Sequence, residues 1–116
     1  MHFWKAYKSF KYERVMIMKY SIIIPCYNEK DNIDNLLERV SVLQKNYNVE
    51  YILVENGSKD GSREYFRSNI EGRFSNVKVV YVKENRGYGY GLQQGMKIAS
   101  GDYLGWIHAD MQITPE

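Results

Sequence analysis

Ser21-Ile22-Ile23-Ile24-Pro25-Cys26-Tyr27-Asn28-Glu29 runs from a serine through three isoleucines and then breaks at a proline into polar residues. A run this short, apolar without alternation and rich in β-branched residues, reads as a strand buried on both faces, the mark of a parallel sheet. Three further runs share that character: Tyr51–Val54, Val77–Val82 and Tyr103–Ile107. Between the first two, Ile33, Leu36, Leu37, Val40 and Leu43 recur at helical spacing and predict one apolar face of an amphipathic helix. Shorter helices are expected over Gly61–Ile70, with Tyr65, Phe66 and Ile70 inward, and near Gly91–Ala99, with Leu92, Met96 and Ile98 or Ala99 inward. The order βαβαβαβ predicts an α/β fold, a mostly parallel, Rossmann-like sheet with helices on both faces. Ligands of such sheets bind beyond the carboxyl ends of the strands, so the loop after each strand is where chemistry is expected.

The chain has 116 residues, enough for one domain, and its 44% hydrophobic and 26% charged content is that of a folding chain rather than a disordered one. Its net charge of +2 is uneven: residues 1–20 hold five lysines and arginines against one glutamate, which leaves −2 on the rest. That distribution argues against a basic stripe over the folded part and so against a nucleic-acid partner. The leader Met1–Lys19 interleaves Phe3, Trp4, Tyr7, Phe10 and Tyr12 with lysines. It reads either as a plain terminal extension or as a peripheral contact in which rings and cations meet an anionic membrane. Residues 20–116 are the expected folded portion. Cys26 is the only cysteine, which excludes an intrachain disulfide and is compatible with a cytoplasmic setting. No apolar run approaches the ~20 residues of a membrane-spanning helix, and the leader lacks the apolar stretch of a signal peptide.

Each loop has a structural and a functional reading. After the first strand, Pro25 is expected to halt sheet pairing, and Asn28 to cap a helix whose positive end Glu29 favours. Alternatively, Tyr27 packs on a base and Glu29 accepts from a ribose hydroxyl. After the second strand, Glu55-Asn56-Gly57-Ser58-Lys59-Asp60-Gly61-Ser62 makes a tight turn, with Asp60 or Ser62 as a helix cap, and Glu55 is placed to accept a base N–H. The third, Asn85-Arg86-Gly87-Tyr88-Gly89-Tyr90-Gly91, has neither the dinucleotide nor the P-loop glycine spacing. Its glycines are expected to bring backbone close to a ligand or a neighbouring strand, with Arg86 either a solvated charge or a phosphate contact. The fourth is His108-Ala109-Asp110-Met111-Gln112. A carboxylate such as Asp110, just past a buried strand, calls for a partner, and a hard cation, Mg²⁺ or Mn²⁺, fits, with Gln112 supplying a second oxygen. His108 is either a hydrogen-bonding residue or a ligand.

Together Ile24-Pro25-Cys26-Tyr27-Asn28-Glu29, Val54–Ser62, Asn85-Arg86-Gly87, Ala99-Ser100-Gly101-Asp102-Tyr103 and His108–Gln112 resemble the family-2 glycosyltransferases of GT-A fold, nearest the polyprenol-phosphate sugar transferases. The resemblance covers about Tyr20 to the end. It implies that Pro25, Tyr27, Glu29 and Glu55 hold the nucleoside of a UDP- or GDP-linked sugar, and that Ala109 sits against the ribose. It further implies that Asp110 and Gln112 bind the metal bridging the diphosphate, with His108 a metal or ribose contact. Transfer with inversion to a polyprenol-phosphate or saccharide acceptor follows from the same resemblance. Two positions depart from it: Glu55-Asn56 stands where two aspartates are usual, and His108 where the metal motif has its first aspartate. The general base that such enzymes place well downstream is expected beyond Glu116, so these residues read as a donor-binding half without transfer activity alone. The alternatives are a module that binds a nucleotide sugar without turnover and, ranked lower, a sugar-phosphate nucleotidyltransferase. The latter would need a glycine-rich basic loop where Pro25–Glu29 stands.

Overall fold

The structure, a computed structural model, describes residues 18–43 and 48–109. Among them the chain alternates β1 (Tyr20–Cys26), α1 (Ile33–Leu43), β2 (Val49–Asn56), α2 (Ser62–Asn69), β3 (Val77–Val82), α3 (Tyr88–Ile98) and β4 (Tyr103–Trp106). Every pairing is parallel and the strand order is β3-β2-β1-β4. The expected α/β architecture is therefore present, element for element.

Register sorts the side chains onto two faces. Ile24 and Cys26 of β1, Tyr51 and Leu53 of β2 and Val77 of β3 bury one face under Ile33, Leu36, Leu37 and Val40 of α1 and under Phe66 and Ile70 of the α2 segment. Ile23, Ile52, Val54 and Val82 bury the other, where Tyr90, Leu92 and Ala99 of the α3 segment pack. Helices thus cover both faces, because the central strands are apolar at odd and even positions alike.

Several expectations need correction. Pro25 does not end pairing: β1 continues to Cys26, with Pro25 opposite Val54 and Cys26 opposite Glu55. Alternate strand residues aim their backbone polar groups at the same neighbour, so Pro25 shares the β4 side with Ile23, whose carbonyl accepts the Ile107 N–H at 3.2 Å. Pairing with β4 stops at Ile23, so the missing proline N–H costs no ladder bond. Nor is β4 buried on both faces. Among the described residues it is an edge strand, with Leu104 and Trp106 49% and 58% exposed.

The inward face of α3 also differs. Met96 and Ile98 are exposed, and Gly91 and Gly95 are the residues buried against the sheet. A Cβ on Gly95 would lie 2.6 Å from Ile23 Cγ2 and 2.9 Å from Val54 Cγ2, so the helix backbone itself rests on β1 and β2. Both neighbours are β-branched and cannot swing aside. Gly95→Ala is therefore expected to destabilise the fold by about 1–2 kcal/mol despite alanine's better helix propensity. Urea unfolding checks this, and a stabilised variant would contradict the packing.

The amino-terminal edge of the sheet is locked by a buried carboxylate. Glu50, 3% exposed, accepts from Ser21 Oγ (2.6 Å), Ser100 N–H (2.7 Å) and Ser100 Oγ (3.0 Å), with Lys78 Nζ at 2.9 Å. Burial alone would push its carboxyl up, yet the hydrogen bonds from Ser100, Ser21 and Lys78 outweigh it and hold the group at about 2, below the ordinary 4.5. Gly101 donates to Ser21 Oγ at 2.8 Å, and a Cβ there would come within 2.7 Å of the Ser21 nitrogen. Asp102 accepts the Lys19 N–H at 3.0 Å. The Ser100-Gly101-Asp102 stretch is thus a clasp at the edge opposite the carboxyl ends of the strands.

Candidate functional site

Chain order reverses between β1 and β4, since β2 and β3 continue to one side of β1 and β4 lies on the other. The carboxyl ends of β1 and β4 therefore meet at a topological switch point, the usual ligand position in such sheets. Tyr27 and Glu29 follow β1 on one side of it, and His108 and Ala109 follow β4 on the other.

On the β1 side, Pro25 and Cys26 are buried, Tyr27 is 42% exposed and Glu29 is half-buried. Glu29 Oε1 accepts from Asn32 Nδ2 at 2.9 Å, so its carboxylate is oriented while part of it stays accessible. Burial pushes the Cys26 thiol up, with Glu29 and Glu55 adding to the effect, and Sγ donates to the Ile24 carbonyl at 3.3 Å. A neutral, buried thiol is a packing group here.

Asn28 does not cap α1. The Asn32 carbonyl accepts the Leu36 N–H at 3.1 Å, which puts Asn32 at the helix entrance. Asn28 instead has φ 55°, donates its N–H to Ser58 Oγ (2.9 Å) and accepts the Lys59 N–H on Oδ1 (2.9 Å). An asparagine tolerates this left-handed backbone because its short side chain bonds locally. The first two loops are thereby stitched together. Asp60 adds to the stitch: desolvation raises its carboxyl, but hydrogen bonds from Ser62 and the Lys30 backbone prevail and lower it. Its Oδ1 takes the Ser62 N–H at 3.0 Å, an otherwise orphaned donor of the first turn of α2, while Gly61 occupies the cap position at φ 89°.

Glu55, at the end of β2, is fully buried. Oε1 accepts the Ser58 N–H at 2.9 Å, and Oε2 pairs with Arg63 Nε at 3.2 Å. Arg63 also donates through Nη2 to the Val82 carbonyl. The next residue, Asn56, points to the α3 face and is 3% exposed, with Nδ2 donating to the Gly87 carbonyl at 3.3 Å. Its Oδ1 has no hydrogen-bond partner among the described residues. Gly91 accommodates this amide, since a Cβ there would lie 2.7 Å from Nδ2. The expectation that loop-3 glycines allow close backbone approach holds at this position.

In the third loop Asn85 Oδ1 accepts the Gly87 N–H at 2.7 Å, and the Arg86 guanidinium lies 5.5 Å from the Tyr90 ring centroid. In the fourth, Ala109 is buried with the α1-side core, and His108 stacks on Tyr88 with centroids 5.4 Å apart. Asp110 and Gln112 lie outside the described residues, as does most of the leader. Among the described residues no cluster of three His, Cys, Asp or Glu side chains suits a metal, and no helix is long and apolar enough to cross a membrane. Sequence reasoning missed Arg63, Tyr88 and the tie made by Asn28. Only Arg63 carried a signal, a cation in the first turn of a helix, where the dipole disfavours it.

Comparison with known proteins agrees with this fold. The profile of Glycosyl transferase family 2 matches residues 21–116. An undecaprenyl-phosphate 4-deoxy-4-formamido-L-arabinose transferase from Aeromonas hydrophila is 39% identical over 102 residues, 83% of this chain and 30% of that protein. A dolichol-phosphate mannosyltransferase from Pyrococcus furiosus is 33% identical over 99 residues, 85% of this chain and 28% of that protein. Among solved structures, a mannosyltransferase from Pyrobaculum calidifontis in complex with GDP-Man and Mn²⁺ superposes with a TM-score of 0.69 at 26% identity, covering 78% of this chain and 27% of its own. The chain spans less than a third of the length of each.

Proposed function

The chain belongs to glycosyl transferase family 2, and on that premise we propose that it forms the donor-binding part of a metal-assisted sugar transferase acting from a nucleotide-diphospho-sugar. One observation carries the reading: at the switch point between β1 and β4, an exposed ring and an oriented carboxylate, Tyr27 and Glu29, follow β1, and His108-Ala109, next to Asp110 in the sequence, follow β4. In this reading Tyr27 packs on the base, Glu29 accepts from the ribose, and Pro25 and Ala109 shape the floor. Glu55 enters the nucleoside contact through the loop that it holds by Ser58. Asp110 and Gln112 are the proposed ligands of Mg²⁺ or Mn²⁺, and His108, which stacks on Tyr88, is the proposed metal or ribose contact. Bound there, the metal would supply Lewis-acid stabilisation of the departing diphosphate. The donor is a UDP- or GDP-linked sugar and the acceptor a polyprenol phosphate or a saccharide. A polyprenol acceptor would bring the protein to a membrane surface, where the basic, aromatic leader is suited to a peripheral contact.

Calorimetric titration with UDP and with GDP tests the assignment. Binding is expected with Mn²⁺ and not with chelator, and Asp110→Ala should weaken the metal-dependent part at least about tenfold, or 1.4 kcal/mol. Equal affinity with chelator would remove the metal site from the proposal. A second reading, binding without turnover, draws on His108 and Asn56 standing where the resemblance expects aspartates. Metal-dependent release of sugar from a labelled donor, lost in Asp110→Ala, separates turnover from mere binding.

A further inference from the structure

We infer that Arg63 is a positioning residue for the nucleoside end of the site, acting through Glu55 on the loops that carry Tyr27 and Ser58. The inference rests on the nucleotide reading above and deepens it. One guanidinium joins the ends of two strands, donating through Nη2 to the Val82 carbonyl of β3 and through Nε to Glu55 Oε2 of β2. From there the chain of bonds crosses to β1: Glu55 Oε1 takes the Ser58 N–H, Ser58 Oγ takes the Asn28 N–H, and Asn28 Oδ1 takes the Lys59 N–H. Asn28, held at φ 55°, directly follows Tyr27 in the chain. The orientation of the exposed ring is thus set by a relay that starts at Arg63.

Helix stability does not explain this arginine. It lies in the first turn of α2, where a cation opposes the helix dipole. A compensating partner exists in Glu55, a fully buried carboxylate that among the described residues would otherwise be left with the Ser58 N–H alone. A planar fork is needed because two acceptors on different strands must be reached at once, which the point charge of a lysine cannot do equally well. The Tyr81 ring, 5.6 Å from the guanidinium carbon, further limits its orientations.

The test compares the 116-residue chain with Arg63→Met, Arg63→Lys, Glu55→Gln and the Arg63→Met/Glu55→Gln double variant, each checked for folding by circular dichroism. Affinity for UDP, GDP and inorganic pyrophosphate is measured with Mn²⁺, and the Ser58 and Asn28 amide protons are followed by NMR. Arg63→Met is expected to weaken UDP and GDP about tenfold while pyrophosphate stays within about twofold, and to move both amide signals. Arg63→Lys should fall between, and the double variant should lose no more than the worse single variant. An equal loss for pyrophosphate would mean that Arg63 meets phosphate directly, and additive losses would mean that it does not act through Glu55. Either result overturns the inference, as does unchanged nucleotide affinity in both Arg63 variants. If Arg63→Met does not fold, Arg63→Lys carries the same comparison. A wild-type chain that binds neither nucleotide would instead sink the nucleotide reading itself, and the inference with it.

Discussion

Glu50→Gln is expected to cost roughly 3 kcal/mol of stability at neutral pH and almost nothing near pH 2. The carboxyl is held at about 2 in the folded chain against an ordinary 4.5. A group whose value is depressed on folding contributes its full stabilisation above the unfolded value and loses it as pH falls through the folded one. The window is therefore pH 4.5 down to 2 for this residue. Glutamine keeps the shape and can still accept from Ser21 and Ser100, but it removes the charge that faces Lys78 at 2.9 Å and Lys19 at 3.6 Å. Both lysines are partly exposed and can be resolvated, so the loss should sit at the low end of the ~3–5 kcal/mol of a fully buried broken pair. Denaturant unfolding of both proteins from pH 7 to pH 2.5 checks this. A stability gap that stays constant over that range would show that the clasp is held by shape and not by charge.

The distribution of what could be read in advance follows from how local each feature is. Strands such as Ile22–Ile24 and the α1 stripe of Ile33, Leu36, Leu37 and Val40 announce themselves because burial repeats within a few residues. The α3 face does not, since Gly91 and Gly95 bury backbone and carry no apolar side chain for periodicity to detect. Leu104 and Trp106 resemble core residues in sequence, and only the strand order shows that β4 is an edge. Glu50 and Ser100 are 50 positions apart, so no local pattern links them. At the site, Tyr27, Glu29 and His108 were legible as residues after strands, yet the partners that orient them lie on other loops. Asn28 illustrates the competition: a helix cap was the local expectation, and bonds to Ser58 and Lys59, about thirty residues away, prevailed.

Gly57→Ala should be the most damaging single methyl in the loops, with an expected loss of about 3 kcal/mol of stability. Two independent terms act there. Gly57 has φ 74°, a left-handed conformation that costs an L-residue roughly 1–2 kcal/mol. A Cβ would also stand 2.5 Å from the Asn85 nitrogen and 3.0 Å from the Glu84 carbonyl carbon, both backbone atoms of the loop after β3. Backbone cannot rotate away as a side-chain tip can, so the second and third loops must separate. Gly72→Ala isolates the first term, because Gly72 has φ 76° with nothing within 4 Å of the added carbon. The difference between the two variants in urea unfolding therefore measures the contact alone, expected at about 1–2 kcal/mol. Separation of the loops should also speed hydrogen exchange at the Asn85 amide and weaken UDP and GDP binding, neither of which Gly72→Ala should change. Equal destabilisation by the two variants, with unchanged exchange at Asn85, would mean that the loops after β2 and β3 are not seated on each other at Gly57.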